Sequence, residues 1–562
     1  MVGRRAVFLS CVLACCGIVA VDKPRANELM GPVLKEGNDQ EPRNTRGAGL
    51  PLPSQIGDYS SRPHYNKPMS TPAIVDLEAR RVEASARLDP TERAKLGQFM
   101  TPNEIASFMA SLFRKWPSEV RLLDPGAGVG SLTEAYFQRF VVKAPKGASL
   151  AVTAFEIDPI LLEYLSDYLN MLPARAQTAG ISSTVQIQAR DFIAEGAFAL
   201  SMGPVATYTH AILNPPYRKI NANSSHRKLL SSVGIETVNL YTGFLALAIA
   251  LTEKDGEIVA IVPRSFCNGT YFRPFREWLL KRAAIHHIHV FESRSRAFRE
   301  DSVLQENIII HLGREQVQGP VIVSSSRDAD FSNYTEREVP FLEIVKTGDA
   351  ESFIHIPVTD QPLPISLFES AITDLGLRVA TGPVVDFRVR DYWLNDPTPD
   401  SVPLLYAHHF AKGQFAWPRT SKKPNALKLE AETRKWLLPS GFYCVTKRFT
   451  SKEERRRVVA YVVDPEKLPG ELYGFENHLN VFHAEKSGLP PQMAYGLATF
   501  LNSTVVDKFF RTFSGHTQVN ATDLRAMRYP SAAKLTALGE WAIRNPMPSQ
   551  EDIDNAVAVY GH

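Results

Sequence analysis

The tetrapeptide Asn214-Pro215-Pro216-Tyr217 is the segment of this chain best suited to a defined chemistry. Consecutive prolines fix the backbone and remove two N–H donors, so nearby carbonyl oxygens stay free to accept hydrogen bonds. Asn214 adds a side-chain carbonyl and Tyr217 an aromatic face. Such a set suits a planar substrate carrying an NH₂ group. Asn214 and the Pro215 carbonyl take its two hydrogens, Pro216 stiffens the loop, and the Tyr217 ring covers the plane.

Three further clusters lie upstream. Leu122 to Ser131 reads Leu-Leu-Asp-Pro-Gly-Ala-Gly-Val-Gly-Ser, an apolar run entering alternate glycines and then a helical pattern. Glycines let a backbone approach a ligand closely, and a helix N-terminus beyond them offers unpaired N–H groups. Asp124, Gly126 and Gly128 are candidates there; the spacing is not Gly-x-Gly-x-x-Gly, which disfavours NAD. About thirty residues on, Glu156-Ile157-Asp158-Pro159 closes a second apolar run. A carboxylate in that place is suited to ribose hydroxyls, with Asp158 capping the helix that Pro159 opens. A third run ends in Arg190-Asp191-Phe192, an acid suited to an adenine amino group and a ring suited to lie against the base.

These positions require strands that end where the motifs begin. Short apolar runs alternate with amphipathic stretches, as in an α/β domain with a mostly parallel sheet. Strands are expected at Val120–Leu123, Leu150–Phe155, Val185–Ala189, Ala211–Leu213, Ile258–Val262, His287–Phe291 and Asn307–Leu312. Helices are expected at Ser131–Phe140, Pro159–Asn170, Tyr241–Leu251 and Tyr271–Arg282. After about Pro364 the pattern becomes irregular, with many prolines and scattered aromatics, and predicts a second domain of mixed α+β character.

Length and composition bound the remaining classes. The 562 residues are 44% hydrophobic and 22% charged, ordinary for a globular chain of two to four domains. A formal charge of +3 excludes a highly charged disordered protein but not a local nucleic-acid patch. Five cysteines, three of them in the first sixteen residues and none in a Cys-x-x-Cys pair, exclude a disulfide scaffold and a structural zinc site, so the body reads as cytosolic.

The N-terminus points elsewhere. Arg4 and Arg5 precede an uncharged run from Ala6 to Val21 with the shape of a signal peptide. Residues 22–68 hold 7 Pro and 5 Gly in 47 positions, about twice the density of the whole chain. Helical spacing then starts, with Ile74, Leu77, Val82 and Ala86. Export would separate a cytosolic chemistry from its reactants, so residues 1–68 are expected to lie outside the working protein, with translation starting at Met69 rather than Met30.

In order and spacing these motifs resemble the S-adenosylmethionine-dependent amino-group methyltransferases, specifically the gamma-class DNA adenine-N6 methyltransferases of type II restriction–modification systems. The gamma order places a cofactor segment ahead of the glycine loop, and Gln98-Phe99-Met100-Thr101-Pro102 stands there. The resemblance covers about residues 95–315. It implies a Rossmann-like catalytic domain over 69–350, with S-adenosyl-L-methionine held by Phe99, Thr101, Pro102, Asp124, Gly126, Gly128, Glu156, Asp191 and Phe192. It further implies a flipped adenine between Tyr217 and a second aromatic in the Val262–Phe266 and Phe272–Leu279 stretch. Phe272 is the choice by position, with Tyr271 beside it. Neither a nucleophilic cysteine nor a metal is needed. The stretch from Phe291 to Asn307 looks familiar from the same enzymes. The likeness continues loosely through Gly474-Phe475-Glu476-Asn477-His478 and the segment from Ser514 to Leu524. A bacterial cytoplasmic location and a separately encoded restriction endonuclease are further implications. Cytosine-N4 stays open as a target, although that chemistry more often carries Ser in place of Asn214.

A target-recognition domain over 365–545 must then meet double-stranded DNA. Residues 411–457 hold 13 Lys or Arg against 4 Asp or Glu, interleaved with aromatics. Lys422, Lys423, Lys447, Arg448 and Arg455 are the candidates, and the alternative is a solvated face with Lys452–Arg455 as a salt-bridged helix. His516, Gln518 and Asn520 form a polar cluster that reaches bases or caps a turn. Protein-glutamine and RNA-guanine methyltransferases share Asn-Pro-Pro-Tyr, but usually lack the Phe-x-Thr-Pro segment and the large following domain. A fused nuclease is disfavoured, because no lysine has Asp or Glu two residues before it. A catalytically dead DNA-binding module is disfavoured by the intact Asp124–Gly130 and Asn214–Tyr217 segments.

Overall fold

The computed structural model describes residues 72–89, 97, 99–203, 207–292, 306–358, 367–411, 414–450, 454–514 and 517–561. The signal-like run, the Pro/Gly-rich stretch, Gln98, residues 293–305 and His516 lie outside the described residues.

Strand β1 (Glu119–Pro125), β2 (Ser149–Phe155), β3 (Ser182–Gln188), β4 (Tyr208–Leu213), β5 (Thr252–Pro263), β6 (Ala283–Phe291) and β7 (Asn307–Arg314) fall on the seven expected runs. With β8 (Val321–Ser326) and β9 (Thr335–Val339) they form one sheet in the order β3-β2-β1-β4-β5-β7-β6-β8-β9. Pairing is parallel from β3 through β5 and antiparallel on both sides of β7. The order reverses between β1 and β4, and in open α/β sheets the ligand crevice opens at the carboxyl ends of the strands flanking such a reversal.

Helices cover both faces. They are α1 (Pro72–Arg87), α2 (Asn103–Ser111), α3 (Ser131–Lys143), α4 (Pro159–Leu169), α5 (Leu172–Thr178), α6 (Phe192–Ser201), α7 (Ser225–Ser232), α8 (Leu240–Leu251) and α9 (Arg273–Leu280). Strand residues alternate between two apolar clusters. Leu122, Ile212, Val259 and Ile261 enter one with α2, α3 and α4, and Leu123, Ala211, Ile258 and Ala260 enter the other with α6 and α8. A strand covered on both faces has no polar side, so the stretch Ile258–Val262 of β5 reads as a continuous apolar run.

Two local expectations change. The buried face of α1 is Leu77, Arg81, Ala84 and Leu88, while Val82 is 47% exposed and Ala86 is also exposed. Arg81 joins that face because its guanidinium pairs with Glu78 at 2.6 Å. The helix expected over Tyr271–Arg282 is shorter: a 3₁₀ turn at Thr270–Phe272 leads into α9, whose first turn holds Pro274.

Beyond Leu367 the chain is mixed α+β. A four-stranded sheet runs in the order Arg378–Thr381, Leu479–His483, Tyr443–Lys447, Ala460–Val463, beside a five-stranded sheet that includes Ser401–Leu405 and Leu472–Phe475. Helices Pro491–Leu501, Thr504–Phe513, Ala532–Arg544 and Gln550–Tyr560 close it, the last lying beyond residue 545. Met69–His562 is one compact unit. Buried Arg264, just past β5, pairs with Glu306 at 2.8 Å and donates to the carbonyls of Arg511 and Thr512, tying the large sheet to the helix Thr504–Phe513. Among the described residues no helix is long and apolar enough to cross a membrane.

Candidate active site

The carboxyl ends of β1, β2 and β4 bring the sequence motifs together. Leaving β1, Gly126 and Gly128 take φ of +77° and +58°, a region open to glycine at no steric cost. A methyl group on Gly126 would lie 3.8 Å from the Asn214 carbonyl oxygen and from Phe244, and one on Gly128 would lie 3.8 Å from Met100. The loop therefore borders an open cradle bounded by the Asn214 loop, α8 and the segment before α2.

At the end of β2, Glu156 is buried and accepts three backbone N–H bonds: Gly128 at 2.9 Å on one oxygen, Ile157 at 2.8 Å and Asp158 at 2.9 Å on the other. A carboxylate offers about four acceptor sites, so one remains for a ribose hydroxyl rather than the pair expected from sequence. Burial raises the Glu156 pKa against these hydrogen bonds. Asp158 caps α4 through Ile160 and Leu161, as expected. Asp124 is wholly buried; Thr133 donates to one oxygen at 2.6 Å and the other has no hydrogen-bond partner. Burial pushes its carboxyl up to about 7.

The Asn214 amide is oriented by its partners. Its Nδ2 donates to the Phe99 carbonyl at 2.7 Å and to Thr101 Oγ1 at 3.0 Å, which fixes Oδ1 as the acceptor end, within reach of the Tyr217 hydroxyl. The Phe99–Pro102 segment thus positions the reactive loop as well as bordering the cradle. The Tyr217 N–H also donates to the Gly97 carbonyl, and a side chain on Gly97 would meet the Tyr217 backbone at 2.8 Å. Pro215 is buried, and Pro216 and Tyr217 are half-buried.

Three candidates stand differently from expectation. Phe272 is only 5% exposed and packs on Tyr241, 5.9 Å between ring centroids, whereas Tyr271 is 80% exposed. Of the two neighbouring aromatics, Tyr271 is therefore the one whose ring is accessible. Phe192 is buried against Phe155 and Phe244, so its ring offers no face to a base; the apolar first turn of α6 drives it inward. Asp191 is already engaged, capping Ala194 at 2.9 Å and meeting His226 Nε2 at 2.8 Å. Burial would raise its carboxyl, but these bonds hold it below the usual range, and the same Asp191 bond raises His226. Sequence reading missed His226, Phe244 and Tyr241, which carry no motif and reach the site only through the packing of α7 and α8, and it gave Met100 no role inside the Gln98–Pro102 segment.

Among the basic candidates, Lys422 and Arg455 are exposed. Lys423 pairs with Asp386 at 2.6 Å, and Arg448 donates to the Asn477 carbonyl at 3.1 Å. Glu454 and Arg455 are not helical, and Lys452 and Glu453 lie outside the described residues. Gln518 pairs with Phe449 in an isolated β-bridge, and Asn520 caps the helix Ala521–Ala526.

Fold and loops together define an α/β methyltransferase, with the cofactor motifs on the β1–β3 half and the Asn-Pro-Pro-Tyr loop after β4. Residues 160–298 match the Eco57I restriction-modification methylase family. The chain is 47% identical over 463 residues to the type II methyltransferase M.BsuBI of Bacillus subtilis, covering 81% of this chain and 91% of that protein. It is 43% identical over 475 residues to the type II methyltransferase M.PstI of Providencia stuartii, covering 83% and 93%. The chain belongs to the type II methyltransferases of restriction–modification systems.

Proposed function

We propose that this DNA methyltransferase transfers a methyl group from S-adenosylmethionine to the N6 amino group of adenine in duplex DNA. The observation that carries the reading is the Asn214 amide, whose Nδ2 is tied to Phe99 and Thr101, which fixes Oδ1 as its acceptor end, beside the Tyr217 hydroxyl. An amino group is what such an acceptor recognises.

The residues present fit the cofactor. Glycine backbone borders an open cradle, Glu156 keeps one acceptor site, and Asp124 holds a buried oxygen without a partner. Gly126, Gly128, Glu156, Phe99, Thr101 and Pro102 would hold it, with Asp191 near the adenine end. The bound cofactor supplies an electrophilic methyl group on sulfonium.

The adenine must leave the duplex, at a cost of a few kcal/mol. Stacking on Tyr217 and on the exposed Tyr271 returns on the order of 1–3 kcal/mol per contact. Asn214 Oδ1 and the Pro215 carbonyl accept the two amino hydrogens and hold the nitrogen lone pair toward the methyl group. The cofactor so held would give up its methyl group to N6 with the S–C bonding pair kept on sulfur, and the amino proton released would pass to solvent. Positioning carries most of the rate in such a displacement.

In this reading residues 69–350 form the catalytic part and 365–545 the DNA-recognition part. Lys422, Lys447 and Arg455 face phosphates, and Lys423 and Arg448 also order their own loops. The enzyme works in the bacterial cytoplasm alongside a separately encoded endonuclease of the same site. Modified-base sequencing of DNA from cells expressing the chain tests the reading. N6-methyladenine at one recurrent sequence is expected, and N4-methylcytosine or no modification would overturn it.

A further inference from the structure

A second pocket lies in the C-terminal part, where the motif from Gly474 to His478 and the basic segment converge. Its volume is about 270 Å³ and its lining is Ala407, Lys447, Phe449 and His478. Three chain segments meet there. Lys447 ends a strand paired with Leu479, the Arg448 N–H donates to the His478 carbonyl at 2.9 Å, and Phe449 bridges to Gln518. Ala407 adds a wall from the turn Ala407–His409.

The chemistry of this pocket is specific. Phe449 is 44% exposed and lies 5.0 Å from the His478 ring. His478 is held from behind by Glu476, which is wholly buried. One Glu476 oxygen meets His478 Nδ1 at 2.5 Å and the other accepts the His478 main-chain N–H at 2.9 Å. With Nδ1 fixed on the carboxylate, Nε2 is the nitrogen left for a ligand. The Lys447 ammonium, lying over the Tyr461 ring at 5.6 Å, is the donor of the pocket. A lysine ammonium beside an aromatic face suits the major-groove edge of guanine, which presents both O6 and N7 as acceptors. Adenine and cytosine would turn an amino donor toward Lys447, and thymine offers one acceptor where guanine offers two. The surrounding segment, 13 Lys or Arg against 4 Asp or Glu over 411–457, supplies the charge that brings DNA to this face.

We infer that the pocket lined by Lys447, Phe449 and His478 reads one guanine of the target sequence, an assignment that rests on the DNA-methyltransferase reading. It is a specificity site, separate from the reacting atoms around Asn214.

The test is methylation of a library of randomised duplexes by the full chain, read by modified-base sequencing. Wild type must first yield a recognition sequence; if it methylates no duplex, the reading of the enzyme itself fails. His478→Ala removes the only ionic partner of buried Glu476 among the described residues, so Lys447→Met, which leaves that pair intact, is run beside it, and melting curves check that both fold. The expected result is that both variants relax discrimination at the same G·C pair, by about 5- to 100-fold, with the other positions still read. Retained discrimination at every position would overturn the pocket. So would a uniform loss across all sequences with a shallower salt dependence, which marks a phosphate contact.

Discussion

The Tyr217 hydroxyl lies 2.9 Å from Asn214 Oδ1 and 3.3 Å from the Ile261 carbonyl oxygen. Its single proton therefore has two acceptors. On the proposed reading the hydroxyl turns to Ile261 when Asn214 Oδ1 accepts an amino group, so the aromatic assigned to the base plane also satisfies this acceptor.

Substitutions at the two residues separate these roles. Asn214→Ala should abolish methyl transfer while DNA binding stays within a few fold, because the base is still flipped and stacked. Tyr217→Phe keeps the ring, and its turnover should stay within about tenfold of wild type, since one neutral hydrogen bond contributes about 0.5–1.5 kcal/mol. Tyr217→Ala removes the stacking face and should lose more, in line with 1–3 kcal/mol per base contact. Single-turnover rates at saturating cofactor read all three. Near-normal transfer by Asn214→Ala would end the assignment.

Glu156 ties the glycine loop to the end of β2 and, on the proposed reading, meets the cofactor. Glu156→Gln keeps the shape but loses the charge and an acceptor, so two or three backbone N–H groups compete for one oxygen. A lost charge-assisted bond costs roughly 1.5–3 kcal/mol, and calorimetry should show cofactor affinity weakened about ten- to a hundredfold. Unchanged affinity would remove Glu156 from the pocket.

How much of this was legible in the sequence follows from what each element depends on. β1 to β7 and the loops after β1, β2 and β4 were readable, because apolar runs, glycines and prolines act through the local backbone. That Asn214 is aimed by Phe99 and Thr101 was not, since those partners are 115 and 113 residues away. Phe272 and Phe192 misled for one reason: an aromatic beside a motif looks the same in sequence whether its ring faces the crevice or the core. Val82 shows the same limit in a helix, where Arg81 turned inward beside Glu78 and set the buried face one position earlier.

Helix packing in the C-terminal part depends on two glycines. A methyl group on Gly496 would sit 1.9 Å from the Leu535 carbonyl oxygen, and one on Gly539 would sit 1.8 Å from that of Gln492. Both obstacles are backbone, so Pro491–Leu501 and Ala532–Arg544 must move apart to admit a side chain. Overpacking of this kind costs typically 1–3 kcal/mol. Gly539→Ala should lower the thermal midpoint clearly, whereas Gly348→Ala, with open space around it but a φ of +76°, should cost only the local backbone strain. Equal melting of wild type and Gly539→Ala would show that the helices do not meet this closely.

Acid should unfold this protein early, because of histidines the chemistry does not use. On β6, His287 and His289 are buried against Phe108 of α2 and bond to Ser324, with His289 also reaching Ser326. Burial lowers both to about 3, lowers His355 to about 3, and takes His210, beside Glu257 and Lys115, down to about 4. In the unfolded chain each titrates near 6.5. Between pH 6.5 and 4 the unfolded state therefore binds protons that the folded state refuses. Stability is fully present above pH 6.5 and falls by up to about 1.4 kcal/mol per pH unit per histidine below it. Asp124 and Asp523 work in the opposite sense: raised by burial to about 7 and about 6, they favour the fold as pH drops toward 4. These two carboxyls offset only part of what the four histidines lose, so the net change is a fall in stability. Urea unfolding at pH 7.5, 6 and 5 should show the midpoint falling over the first step and falling further, more steeply per pH unit, over the second. Replacing His287 and His289 by Gln should flatten that second step, and an equally steep fall in the double variant would place the acid sensitivity elsewhere.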